Sequence, residues 1–186
     1  MSVYLFRHGD VINPSKLLYG RLPGFHLDEN GKHTIKANAL KLKNRNITHI
    51  YSSPLERAVE TSEIICDTLG LQKSSITIHN QLIEIDCRDW EGKPLETFLE
   101  QTDYGTDIQN QTSIEPVLDA GTRLLTVLKS IPSNQNAILV SHGDPIMGLV
   151  VLLTGDWSVF HDSYIDRGTY IQLDRSNGNW VATPKP

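Results

Sequence analysis

The stretch SVYLFRHG, residues 2–9, runs from strand-forming residues straight into an arginine, a histidine and a glycine. A second stretch, AILVSHGDP at 137–145, repeats the design far away in the chain: an apolar run, then Ser141-His142-Gly143. Ser2–Phe6 and Ala137–Val140 are short, apolar and bounded by loop signals, as buried strands of a parallel sheet are. Ligands of such sheets bind in the crevice outside the carboxyl ends of the strands. Two histidines from distant segments, His8 and His142, are therefore expected to face one crevice. A lone strand-end histidine is ordinarily a hydrogen-bonded structural residue; two at equivalent ends, one beside Arg7, call for another explanation. Gly9 and Gly143 are expected to let the backbone turn sharply and approach a ligand.

Working outward, His49–Ser52 reads as a third strand and Ser75–Ile78 as a weaker fourth. Helical spacing runs from Asp28 to about Lys43, from Pro54 to Leu69 with Gly70 closing it, from Ile114 to Leu128, and from Asp144 to Leu153. Thr169–Asp174 and Trp180–Thr183, separated by Ser-Asn-Gly-Asn, form an expected closing hairpin. Strands alternating with helices predict an α/β fold, a three-layer sandwich whose mainly parallel central sheet is flanked by helices. No linker or repeat divides the chain, so residues 1–186 are expected to form a single domain. The irregular stretches 9–27 and 86–112 are the expected walls of a binding site.

Composition narrows the function. The 186 residues carry a net charge of −5, which disfavours general binding to nucleic acid or to a membrane surface. Cys66 and Cys87 make no CxxC pair or disulfide framework, and no apolar stretch is long enough for a signal peptide or a span. A cytoplasmic protein is expected, its oligomeric state left open.

Ser52-Ser53-Pro54-Leu55-Glu56-Arg57 supplies a third clue. It reads as a helix start with Ser53 as cap, proline at the first helical position and Glu56 completing a capping box. Arg57 then falls in the first turn, where the helix dipole is already positive and a cation costs about 0.3–1 kcal/mol unless an anion offsets it. Phosphate suits that place, because arginine presents a planar fork of donors to it.

FRHGD (6–10), SSPLERAVET (52–61), LIEID (82–86) with DWEG (89–92), and VSHGDP (140–145) stand in an order that resembles the histidine phosphatase superfamily, also called phosphoglycerate mutase-like. GRLPGFHLDENG (20–31) is similar to the family's segment after its first motif. The resemblance implies that His8 is the nucleophile that takes the phosphoryl group. It further implies that Arg7, Arg57 and His142 complete the phosphate pocket and that Glu84 is the proton donor. Asparagine often stands six residues after the nucleophile in the family; here that position is Pro14, with Asn13 one earlier. Arg88 stands where many members have glycine. Asn13, Arg21 and Arg88 are candidate substrate-binding residues.

Physical chemistry asks for the same set. A transferring phosphoryl group spreads charge over three equatorial oxygens, and catalysis is mostly positioning and charge stabilisation. Arg7, Arg57 and a protonated His142 would surround those oxygens without a metal. His8 must be neutral to attack, and neighbouring arginines lower its pKa. The leaving alkoxide needs a proton that a carboxylic acid can give and later recover from water; Glu84 is the candidate and Asp86 the nearby competitor. Among seven histidines there is no HxH or HExxH pairing, and Arg7 would repel a cation at His8, so no metal and no other cofactor is expected. The sequence thus points to a metal-independent phosphomonoesterase acting on a small phosphorylated metabolite through a phosphohistidine. A cofactor-dependent phosphoglycerate mutase and a non-enzymatic phospho-ligand module are the alternatives. Against the mutase, residues 91–115 offer Lys93 as the sole cation and no Arg-Arg pair occurs.

Overall fold

The computed structural model describes residues 1–176 and 179–183. Its elements are β1 (Ser2–Arg7), α1 (Glu29–Leu40), β2 (Ile47–Ser52), α2 (Glu56–Leu69), β3 (Ile76–Ile78) and α3 (Leu95–Gln101). These are followed by α4 (Val117–Ser130), β4 (Asn136–Ser141), α5 (Gly143–Thr154), α6 (Ser158–Asp162), β5 (Tyr170–Ser176) and β6 (Asn179–Thr183). One six-stranded sheet has the order β3-β2-β4-β1-β5-β6. The pairings β3–β2, β2–β4 and β4–β1 are parallel, whereas β1–β5 and β5–β6 are antiparallel. The α/β sandwich with a mainly parallel sheet is as expected.

Strand alternation sorts the core into two halves. Tyr4 and Phe6 of β1 and Ile138 and Val140 of β4 pack with Ile35 and Ala39 of α1 and Ala58 and Ile65 of α2. Val3 and Leu5, with Ala137 and Leu139, face Leu124 and Val127 of α4 and Ile146 and Leu149 of α5. β1 and β4 are thus buried on both faces, which is why they read as continuous apolar runs.

Several boundaries differ from expectation, each for a local reason. α1 stops at Leu40, and residues 41–44 turn instead of continuing to Lys43. α4 begins at Val117 because Pro116 precedes it, and the residue before a proline is driven to extended backbone. α2 begins at Glu56 with Leu55 as its cap, and no side chain caps it. The Ser53-Pro54-Glu56 capping box does not form: Ser53 N–H donates to Val140 O at 2.9 Å, holding that residue in the sheet's line. Glu56 Oε1 accepts instead from Gly24 N–H at 3.2 Å. α3 lies in the stretch 86–112, expected to be irregular, and α6 lies between the expected fourth helix and the closing hairpin, where no element is expected. The expected hairpin pairs as β5–β6, and its turn residues Asn177 and Gly178 lie outside the described residues. Among the described residues no helix is long and apolar enough to cross a membrane.

α4 and α5 cross at two glycines. A Cβ on Gly121 would stand 2.3 Å from the Gly148 carbonyl carbon, and one on Gly148 would stand 2.2 Å from Val117 O. The obstacle is backbone on both sides, so the helices must separate to admit a methyl group. Gly148→Ala is therefore expected to destabilise the fold by about 1–3 kcal/mol, the usual cost of overpacking. Urea unfolding of the variant checks this, and an unchanged midpoint would contradict the crossing geometry.

Candidate active site

Parallel register does the first part of the assembly. Arg7 of β1 lies opposite Ser141 of β4, so the next residues, His8 and His142, leave the sheet side by side. His8 N–H donates to Ser141 O at 3.1 Å, and the two imidazole centroids lie 5.1 Å apart. β2 ends beside β4, which delivers the first turn of α2, and with it Arg57, to the same edge. His8, Arg57 and His142 have no exposed surface at all.

His8 Nδ1 lies 2.7 Å from Gly9 O. A carbonyl only accepts, so Nδ1 carries the proton and Nε2 keeps a lone pair. Arg57 Nε–H points at that lone pair from 3.3 Å. Burial first, and then Arg57 and Arg7, hold the His8 pKa well below the ordinary imidazole value. The arginines named from sequence contribute, but desolvation leads. Arg57 also donates from Nη2 to Gly20 O at 2.7 Å, and its guanidinium lies 4.7 Å from the centroid of the Tyr19 ring. Arg7 donates from Nη1 to Ile165 O at 2.7 Å. His142 Nε2 meets Ser53 Oγ at 2.8 Å, which is where the expected helix-capping hydroxyl is engaged. Burial, then Arg57, His8 and Arg7, push the His142 pKa well down too.

Glu84 enters from the segment after β3. Ser141 Oγ–H donates to Leu82 O at 2.8 Å, fixing this segment to the end of β4. Arg21 Nε–H and Arg123 Nη2–H donate to the Glu84 carbonyl at 2.8 and 3.4 Å, and both arginines pair with Glu115. Held this way, the Glu84 carboxyl places Oε2 3.6 Å from His142 Nδ1. Burial, with Asp144 adding to it against the opposing pull of Arg57, raises the Glu84 pKa from 4.5 to about 7.

Among the described residues, three buried side-chain polar atoms lack a hydrogen-bond partner: Arg7 Nε, Arg57 Nη1 and His142 Nδ1. All are nitrogens, and all belong to this cluster. Buried polar atoms left unpaired are rare and costly. Two guanidinium nitrogens and one imidazole nitrogen thus stand without partners around His8, an arrangement with which an oxygen-rich anion is chemically compatible.

Other sequence candidates fall elsewhere. Asn13 lines the cleft, but its amide is committed to Leu17, accepting from N–H at 3.0 Å and donating to O at 2.9 Å. Arg21 does not face the cleft, since its guanidinium is held by the Glu84 carbonyl, Asp86 and Glu115. Arg88 donates from Nη1 to Thr112 O at 2.6 Å and is exposed, also outside the cleft. Asp86, the competitor to Glu84, bonds Arg21 and the Arg88 N–H, so of the two carboxyls only that of Glu84 reaches the histidines. Gly9 and Gly143 serve packing against protein rather than ligand approach. A Cβ on Gly9 would stand 2.7 Å from Ile35 Cδ1, and one on Gly143 would stand 2.2 Å from the Tyr164 hydroxyl.

Sequence reasoning missed Arg123, Tyr164 and the role of Asp144. Asp144 Oδ1 accepts from the hydroxyls of Tyr104 and Tyr164, the former at 2.7 Å. Asp144 directly follows the His-Gly pair, which was a usable signal; nothing local marks Tyr164 or Arg123.

His8, Glu84 and His142 offer donor atoms within 4.8 Å of one another, close enough to bracket a metal ion. The set does not fit one. His8 Nε2 already accepts from Arg57, His142 Nε2 is engaged by Ser53, and two guanidiniums flank the group. An anion, not a cation, meets complementary charge here.

The model of the histidine phosphatase superfamily, branch 1, matches residues 3–183. The chain belongs to this superfamily. An uncharacterized protein of Mycobacterium tuberculosis is 32% identical over 170 residues, covering 87% of this chain and 82% of the relative. A probable phosphoglycerate mutase of Yersinia pestis is 28% identical over 166 residues, covering 83% and 75% respectively. The fold is also that of the mycobacterial glucosyl-3-phosphoglycerate phosphatase in complex with vanadate, with TM-score 0.81, 22% identity and 98% and 97% of the two chains covered.

A raised Glu84 pKa has a consequence measurable without substrate. Between about 4.5 and about 7 the folded chain holds a proton on Glu84 that the unfolded chain releases. Wild type therefore loses stability from this group as pH rises through that window. Glu84→Gln cannot titrate, so its stability relative to wild type should climb across the same window and level off above about pH 7. Urea midpoints of both proteins at several pH values check this; a difference independent of pH would contradict it.

Proposed function

We propose that this chain is a metal-independent phosphomonoesterase that acts in the cytoplasm on a small phosphorylated metabolite through a phosphohistidine at His8. The observation that carries the reading is the trio of unpaired buried nitrogens, Arg7 Nε, Arg57 Nη1 and His142 Nδ1, around a histidine whose Nε2 lone pair is met only by Arg57 Nε–H at 3.3 Å. Three donors match the three equatorial oxygens of a transferring phosphoryl group.

In the first half-reaction the His8 Nε2 lone pair forms the N–P bond while the P–O bond to the leaving group breaks. Glu84, protonated for a large part of its population near neutral pH, delivers its proton to the departing oxygen. In the second, the Glu84 carboxylate takes a proton from water, the water oxygen bonds to phosphorus, and the N–P electron pair returns to Nε2. His142 presents Nδ1–H to the phosphate, with Ser53 Oγ fixing its ring from the other side. A phosphate dianion beside that nitrogen opposes the burial that otherwise keeps His142 uncharged.

The runner-up is a phosphoglycerate mutase, which uses the same pocket for transfer and is supported by the name of the Yersinia relative. Against it, Lys93, the cation expected near the cleft, lies over the Trp90 ring at 4.5 Å, and Arg21 is committed to the Glu84 loop.

His8→Ala should abolish turnover while leaving the fold intact by circular dichroism. Glu84→Gln should slow hydrolysis of alkyl phosphates by roughly 10²–10⁴ and that of an activated aryl phosphate much less. Equal losses on both ester types would remove Glu84 from the acid's role. Prolonged chelation should leave activity unchanged; loss that one divalent metal restores would overturn the metal-free pocket. Efficient interconversion of 2- and 3-phosphoglycerate with little phosphate release would favour the mutase.

A further inference from the structure

Resting on the phosphatase reading, we infer that this enzyme selects esters whose leaving group is apolar and uncharged, and discriminates against substrates that carry a second anion. The leaving oxygen must reach Glu84, so the rest of the substrate must occupy the space on the Glu84 side of the cluster. That space is a cavity of about 450 Å³, which Glu84 and Arg7 both line. Its volume accommodates an alcohol of the size of a small aromatic or a short chain beyond the phosphate itself.

The walls carry the argument. Leu17 and Leu18 come from the loop after β1, Leu95 and Leu99 from α3, and Phe160 from α6. Leu95 and Leu99 stand four residues apart on one helix face and are 38% and 44% exposed, while Phe98 beside them is 1% exposed and anchors the helix. Two exposed leucines aimed into a cleft leave apolar surface in water that a ligand of matching character would cover.

Charge along the cavity points the same way. Two carboxyl groups, Glu84 and Asp144, line it, Asp144 being buried and held by the Tyr104 and Tyr164 hydroxyls. The guanidiniums that line it have other duties: Arg7 is part of the anion cluster, and Arg167 Nη1 pairs with Asp10 at 3.3 Å. His161 stands exposed at the rim. A substrate carboxylate placed beyond the phosphate would meet leucines, two carboxyl groups and an Arg167 already paired with Asp10. A neutral hydrocarbon there would gain contact along its length.

The test compares kcat/KM on three esters of similar chemistry: 2-phenylethyl phosphate, glycerol 3-phosphate and 3-phosphoglycerate. The aromatic ester should lead and 3-phosphoglycerate should trail it by at least about 100-fold, a range that apolar pocket contacts commonly supply. Leu99→Ala should lower kcat/KM for the aromatic ester by about tenfold, chiefly through KM, and change glycerol 3-phosphate little. Leu99→Arg, at an exposed position that admits the longer side chain, should narrow the gap for 3-phosphoglycerate. Wild-type preference for 3-phosphoglycerate, or equal effects of Leu99→Ala on all three esters, would overturn the inference while leaving the phosphatase reading intact. Failure to hydrolyse any of the three esters, and p-nitrophenyl phosphate as well, would overturn both.

Discussion

Arg57 is the largest side chain in this fold with essentially no surface left in water, and the site depends on how that charge is accommodated. A buried guanidinium is tolerated only where partners replace its hydration. Here the partners come from two parts of the site: the Nε2 lone pair of His8 at the end of β1, and the Gly20 carbonyl and Tyr19 ring of the loop after it. The same contacts that accommodate the charge orient His8, bring in the loop after β1 and leave one nitrogen, Nη1, without a partner. Arg57 therefore ties the fold's stability to the cleft's geometry. Replacing it would leave no group to do all three tasks, and a lysine would lack the planar fork.

Burial also sets the acid–base chemistry, and in opposite directions at two groups. Desolvation disfavours whichever form is charged, so it lowers the His8 pKa and raises that of Glu84. One dry environment thus yields a neutral base and a neutral acid together, the pair that nucleophilic attack and leaving-group protonation require. Asp144 adds to the effect on Glu84, and the arginines add to the effect on His8. Positions follow from the sheet: Arg7 opposite Ser141 fixes His8 beside His142, and the clamp of Arg21, Arg123 and Glu115 fixes the backbone that bears Glu84.

Much of this was legible in the sequence because the chemistry sits at strand ends. Apolar runs that stop at Arg7-His8 and Ser141-His142 announce both the strands and the cleft, and Arg57 betrays itself as a cation at a helix start. What sequence hides is direction. Arg21, Arg88 and Asp86 occupy the expected loops, yet they face one another and the backbone: Arg21 pairs with Asp86, and Arg88 donates to Thr112 O. Ser53 has the residue type and spacing of a helix cap, but the sheet holds its backbone and its hydroxyl serves His142. Helix α3 was there to be found, since Leu95, Phe98 and Leu99 have helical spacing. Its function was not, because only the tertiary fold shows that the two leucines face the cavity while Phe98 faces the core.

On the proposed mechanism one nitrogen of His8, Nε2, carries the phosphoryl group, because Gly9 O holds the proton on Nδ1. Rapid mixing of the enzyme with a phosphate ester, quenching in alkali and identification of the labelled residue test it most directly. The expected product is an acid-labile, alkali-stable adduct on His8, with phosphorus NMR and mass spectrometry placing it at Nε2. Label at Nδ1, on another residue, or absent in an enzyme that is turning over substrate would contradict it.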